Sequence, residues 1–133
     1  MQKITNFLLF EGNAEEAMNF YVSLFENSKV EHIIRYKAGE AGTEGTVMHA
    51  KFSLNGQEFV CIDSGVKHQF TFTAAMSLYV ACDSEAETDK FFRALSVDGA
   101  ILMPLGSYPF SKKYAWINDR YGVSWQLSYN PLH

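Results

Sequence analysis

Cysteine, long apolar runs and basic charge are all in short supply in this chain, and each shortage closes a class of function. The two cysteines, Cys61 and Cys82, sit in apolar strand patterns with no Cys-x-x-Cys pair. They are therefore expected to be reduced core thiols, not zinc ligands or a redox couple. The longest apolar runs, such as Phe7–Phe10, are far too short to span a bilayer. Met1-Gln2-Lys3-Ile4 runs straight into a strand pattern without a signal peptide's apolar region, so a cytoplasmic location and no membrane partner are expected. Lys and Arg number 11 against 15 Asp and Glu, a formal charge of −4 with the signs interspersed. Without a basic patch or arm, nucleic acid is not an expected partner. No glycine-rich strand-to-helix turn is present to cradle a nucleotide-like cofactor, and no nucleophile elbow to support a Ser–His–Asp hydrolase.

What the chain does have is apolar mass and an internal repeat. Hydrophobic residues make up 47% and aromatics 15% of 133 residues, enough for one domain with a core and no cross-links. Asn13-Ala14-Glu15-Glu16 and Ser84-Glu85-Ala86-Glu87 stand 71 residues apart. Each places a capping side chain three residues before a glutamate that can reach back, which predicts a helix start. Ala17, Phe20, Tyr21, Leu24 and Phe25 then fall on one helical stripe, as do Phe91, Ala94 and Leu95.

Alternating apolar segments predict a strand before each helix, Ile4–Phe10 and Met76–Cys82, and three after it. In the first half these are Val30–Tyr36, Thr46–Leu54 and Gln57–Asp63, the last two joined by Asn55-Gly56, a strong type I′ hairpin signal. In the second half they are Ala100–Leu105, Tyr114–Ile117 and Val123–Tyr129, with Asn118–Gly122 as the matching turn. Gly65–Thr73 reads as a connector. The expected fold class is α+β, a single domain over 1–133 made of two βαβββ pseudo-repeats (about 1–66 and 74–133) forming a curved mixed sheet. One unit cannot cover both faces of its sheet, so two units with helices outside would enclose a cup.

Three separated segments carry a family resemblance. The opening Ile4-Thr5-Asn6-Phe7-Leu8-Leu9-Phe10-Glu11-Gly12-Asn13-Ala14-Glu15-Glu16-Ala17 with Phe20-Tyr21, the stretch Gly45–Phe52 followed by Leu54-Asn55-Gly56-Gln57, and Asn118-Asp119-Arg120-Tyr121-Gly122-Val123-Ser124-Trp125-Gln126-Leu127 occur in order. Together they resemble the PhnB-like, 3-demethylubiquinone-9 3-methyltransferase-like branch of the vicinal oxygen chelate superfamily, which holds glyoxalases, bleomycin-resistance proteins and dioxygenases. The resemblance implies ligand positions on strands one, four, five and eight, which here are Asn6, Cys61, Ser77 and Gln126. Divalent ions want carboxylates and imidazoles, and catalytic zinc wants three good protein ligands. Neutral Asn, Ser and Gln with one Cys supply neither, so no metal and no cofactor are expected. The methyl-transfer name that relatives carry is disfavoured by the missing nucleotide turn and the absence of an alternating β/α pattern.

Amides and hydroxyls in an apolar cup can instead orient a small organic ligand, with Gln126 the first candidate, or simply satisfy one another. The expected function is metal-independent binding of a small molecule, its identity open. The alternative is a metal-dependent isomerase, lyase or dioxygenase-like enzyme that recruits its ion through His49 or Asp63. His32, on a strand with Val30 and Ile34, is a further candidate base; His68 and His133 read as connector and tail. Pro104–Lys113 reads as a loop that either closes over the cup, with Tyr108 and Phe110 over a ligand and Lys112 or Lys113 meeting an anion, or packs on a second subunit. Eleven Phe and seven Tyr exceed what one monomer readily hides, and a homodimer is expected.

Overall fold

The computed structural model describes residues 1–132; His133, the expected tail, lies outside the described residues. The element order is β1 (Asn6–Phe10), α1 (Ala14–Leu24), β2 (Lys29–Arg35), β3 (Val47–Leu54), β4 (Gln57–Asp63), β5 (Leu78–Cys82), α2 (Glu85–Leu95), β6 (Ala100–Tyr108), β7 (Ser111–Asn118) and β8 (Ser124–Tyr129). This is the expected βαβββ–βαβββ sequence of an α+β chain. Two compact units divide it, Met1–Gln69 and a second beginning at Phe70, with the boundary inside the predicted connector. Each unit holds its own four-stranded sheet, in the orders β1-β4-β3-β2 and β5-β8-β7-β6. The two sheets are mixed, because β1–β4 and β5–β8 pair parallel and the hairpin pairs antiparallel. No helix among the described residues is long and apolar enough to cross a membrane.

In the first unit α1 buries Ala14, Ala17, Met18 and Tyr21. Tyr21 meets Phe52 of β3 at 6.5 Å between ring centroids, and Phe52 stacks on Phe59 of β4 at 5.0 Å. Phe52, Phe59, Cys61 and Asp63 thus share the face that α1 covers. The predicted Asn55-Gly56 turn forms, with φ of 47° and 86°.

In the second unit α2 buries Thr88, Phe91 and Leu95. Its sheet partners are Cys82, Ala115, Ile117, Trp125 and Leu127, none more than 2% exposed. Lys113, on the same face, reaches Asp89 of α2 at 2.7 Å.

The two helix starts are built differently. Ser84 Oγ accepts from Glu87 N at 3.0 Å, and Glu87 Oε1 accepts from Asp83 N at 2.9 Å, so the second predicted capping box forms. Asn13 makes no side-chain cap. Asp63 takes its place, Oδ1 accepting from Gly12 N at 2.7 Å and Ala14 N at 3.0 Å while Oδ2 accepts from Val47 N at 2.9 Å. A buried carboxylate offers stronger acceptance than an exposed amide, so the tertiary partner displaces the local one.

Candidate functional site

The residues that the structure gathers lie on the second unit's sheet, on the face turned away from α2. The ladder sets Tyr79 opposite Gln126 and Trp116 opposite Gln126 on its other side, with Tyr114 opposite Ser128 and Asn118 opposite Ser124. Partners in a ladder point to the same side, so Tyr79, Tyr114, Trp116 and Gln126 share this face. Ser77 stands just before β5.

Three of these side chains form one hydrogen-bonded row. Tyr114 Oη donates to Gln126 Oε1 at 2.6 Å, and Gln126 Nε2 donates to Ser77 Oγ at 2.7 Å. Burial first, then the neighbouring Tyr79 and Tyr108 phenols, push the Tyr114 phenol up from its ordinary value, which keeps it a donor at neutral pH. Tyr108 and Phe110 meet Tyr114 edge-on at 5.5 and 4.8 Å and stack on each other at 5.6 Å. Trp116 Nε1 donates to Ser124 Oγ at 2.9 Å. Asn118 Oδ1 is buried with no hydrogen-bond partner among the described residues.

Of the residues that the amino-acid sequence nominates for the cup and its lid, Ser77, Gln126, Tyr108 and Phe110 therefore come together, while the expected loop needs correction. Pro104–Lys113 is a β-hairpin, not a loop: β6 runs to Tyr108, β7 starts at Ser111, and Gly106 pairs with Tyr114. Proline is tolerated because β6 is an edge strand with register shifts. Lys112 lies 3.6 Å from Glu85 and 6.0 Å from the centroid of the Tyr129 ring, with half of its side chain exposed.

Asn6 and Cys61 are oriented differently from what the repeat implied. The connection from β1 to α1 spans Glu11–Asn13, whereas that from β5 to α2 spans only Asp83 and Ser84. The offset that aligns the helices is therefore one residue out in the strands. Phe10 matches Cys82, each ending its strand in the core, and Phe7 matches Tyr79, exposed by 56% and 57%. The counterpart of Ser77 is Thr5. Asn6 pairs with Phe59 and Cys61 with Leu8, which puts both on the face covered by α1. A slip of one residue moves a side chain through the sheet.

That placement decides how well these residues suit the divalent ion implied by the resemblance. Burial, with the Asp63 charge adding to it, pushes the Cys61 thiol up to about 12, which removes the thiolate a metal would need. Asp63 spends both oxygens on backbone donors. Among the described residues no group of three or more His, Cys, Asp and Glu could hold an ion. The donor set does not fit such a centre. Cys61 and Cys82 are 0% and 2% exposed, so a disulfide-exchange reagent at pH 8 is expected to label neither in the native protein and both in denaturant. Rapid native labelling of Cys61 would contradict its placement.

Each unit carries a surface depression. One of about 560 Å³ in the first unit includes Lys3, Lys29, Glu31 and Glu58, but Glu58 is already paired with Lys3 and Lys51. The other, about 440 Å³, is bounded by Tyr108, Phe110 and Lys112 and adjoins the aromatic wall of the Gln126 row.

Comparison with known proteins gives the family and the fold. Residues 2–128 match the family described as 3-demethylubiquinone-9 3-methyltransferase. The chain is 67% identical to a PhnB protein from Bacillus cereus, covering 97% of this chain and all of that one with a TM-score of 0.95. Protein PA1353 from Pseudomonas aeruginosa, 24% identical over 98% of both chains, has a TM-score of 0.84. A glyoxylase/bleomycin resistance protein/dioxygenase domain from Frankia is 14% identical, covering 98% of this chain and 93% of that one with a TM-score of 0.67. The last two share the fold. No curated protein matches the chain.

Proposed function

The chain belongs to the 3-demethylubiquinone-9 3-methyltransferase family, with the glyoxalase/bleomycin-resistance/dioxygenase fold, and on that premise we propose that it is a metal-independent binding protein for a small neutral aromatic molecule. The observation that carries this reading is the row Tyr114–Gln126–Ser77. Its polarity limits what can join it. The Gln126 carbonyl already accepts from Tyr114, and one amide hydrogen goes to Ser77. The second amide hydrogen and the Ser77 hydroxyl hydrogen remain, both donors. A ligand meeting them presents an acceptor such as a carbonyl oxygen. Lys113 lies on the α2 side with Asp89, and Lys112 stands near Glu85, which supports a neutral ligand over an anion. Tyr79, Tyr108 and Phe110 offer ring faces for a planar group.

A thermal-shift screen of neutral aromatic carbonyl compounds, on wild type and on Gln126→Leu, tests this. A compound at 100 times its Kd adds about 2.7 kcal/mol of stability. Gln126→Leu is expected to weaken it at least tenfold, about 1.4 kcal/mol. Compounds that stabilise both proteins equally would place the ligand elsewhere.

Methyl transfer is a second reading, supported by the family's description. The connections Glu11–Asn13 and Asp83–Ser84 carry one glycine between them, unlike a turn that cradles a nucleotide-like cofactor. Calorimetry with S-adenosylmethionine is expected to show no binding, and saturable heat would favour the enzyme. A cytoplasmic setting suits two buried free thiols. The exposed Phe7, Ile34, Val66, Phe70 and Phe110 support action as a homodimer.

A further inference from the structure

His32 and His49 form a cross-strand pair in the first unit, remote in sequence from the Gln126 row. The pair exists because of a bulge. Val30 pairs with Phe52, yet His32 pairs with Lys51, so Glu31 is an extra residue in β2. Strict alternation would put His32 on Val30's side, which is the side α1 covers. The bulge turns it to the opposite face, where His49 and Lys51 lie. Bulges that re-aim one side chain recur at functional sites.

The result is two exposed imidazoles in near-parallel register, ring planes 12° apart and centroids 5.2 Å apart. His32 Nε2 and His49 Nδ1 stand 3.1 Å apart. Two nitrogens each about 2.0–2.1 Å from one ion stand roughly 2.9 Å apart at a right angle, as around copper, and roughly 3.3 Å apart at the tetrahedral angle. A small side-chain rotation therefore converts the hydrogen-bonded pair into a chelate. His32 would then carry its hydrogen on Nδ1 and His49 on Nε2, and two neutral imidazoles reach that state by a tautomer change alone. Lys51, opposite His32 in the ladder, is held by Glu58 at 3.0 Å and lies 3.8 Å from Glu31, so its charge is offset on this face.

We propose that His32 and His49 form a two-imidazole site for a divalent first-row transition ion, with water completing the coordination. Imidazole donors favour copper over nickel and zinc. It is distinct from the small-molecule row, since none of that row's residues takes part.

Titration of the full chain with Cu²⁺ alone, by calorimetry and by electron paramagnetic resonance, tests the assignment. One equivalent is expected to bind, with nitrogen hyperfine structure from two imidazoles. His32→Ala and His49→Ala are each expected to weaken binding at least tenfold and to leave at most one imidazole in the spectrum. His68→Ala and His133→Ala are expected to change neither. Equal affinity in wild type, His32→Ala and His49→Ala would overturn the proposal. So would loss of the copper signal in His68→Ala or His133→Ala with the pair intact. Both residues of the pair are exposed, so the variants are expected to fold, and circular dichroism checks that they have.

Discussion

Asp63→Ala is expected to destabilise the protein by about 3–5 kcal/mol, read as a lower denaturant midpoint at unchanged slope. Asp63 is 2% exposed, and its two oxygens satisfy Gly12 N, Ala14 N and Val47 N. Alanine leaves three backbone donors without their acceptor, each costing about 1–3 kcal/mol less whatever water recovers. A domain of this size has about 5–15 kcal/mol in total, so the variant stands close to the edge of folding. Asp63→Asn keeps one acceptor oxygen but turns an N–H toward other N–H groups, and a smaller loss of roughly 1–3 kcal/mol is expected. Ligand affinity per folded molecule is expected to stay unchanged in both, because the carboxylate faces α1. A loss below about 1 kcal/mol for the alanine variant would show that the cap is not structural, and an affinity loss would reopen Asp63 as a functional group.

Trp125→Ala is expected to cost a similar amount, about 3–5 kcal/mol, in the second unit. Trp125 is 2% exposed, and its Nε1 donates to Asp119 Oδ2 at 2.9 Å. The same carboxylate, through Oδ1, accepts from Tyr121 N at 2.8 Å and Val123 N at 3.1 Å. The indole thus fills core volume and ties the β7–β8 turn to the sheet. Trp125→Phe keeps most of the volume and drops the tie, so a loss of about 1–2 kcal/mol is expected. If phenylalanine proved as damaging as alanine, the hydrogen bond would outweigh the packing, contrary to this reading.

Some of the candidate site was legible because its signals are local. The resemblance pointed to Gln126, and its alternation with Trp125 and Leu127 agrees with a place on the side of the sheet away from the helix. The aromatic wall was visible as Tyr108 and Phe110, but its support was not. Tyr114, Trp116 and Tyr79 carry no motif, and only ladder pairing brings them to Gln126. His32 and His49 were visible as histidines on neighbouring strands, while the bulge that makes them meet has no sequence mark. Asp63 was legible only as a candidate for recruiting an ion; it shares a face with Cys61, but that face packs on α1 and the carboxylate caps the helix.

The order of elements, the two helix starts, the hairpin turn and the family followed from the amino-acid sequence by itself, since hydrophobic period, capping chemistry and turn preference act over a few residues. Which strand residues face α1, which face the opposite side of the sheet, and what caps that helix were decided only in the tertiary structure. The physical reason is the pleat: one residue more between β1 and α1 than between β5 and α2 exchanges the two faces of a strand, and no local preference registers that difference. The same holds for Asp63, whose partners Gly12 and Ala14 lie 51 and 49 residues away in the chain and become neighbours only when β1 and β4 pair.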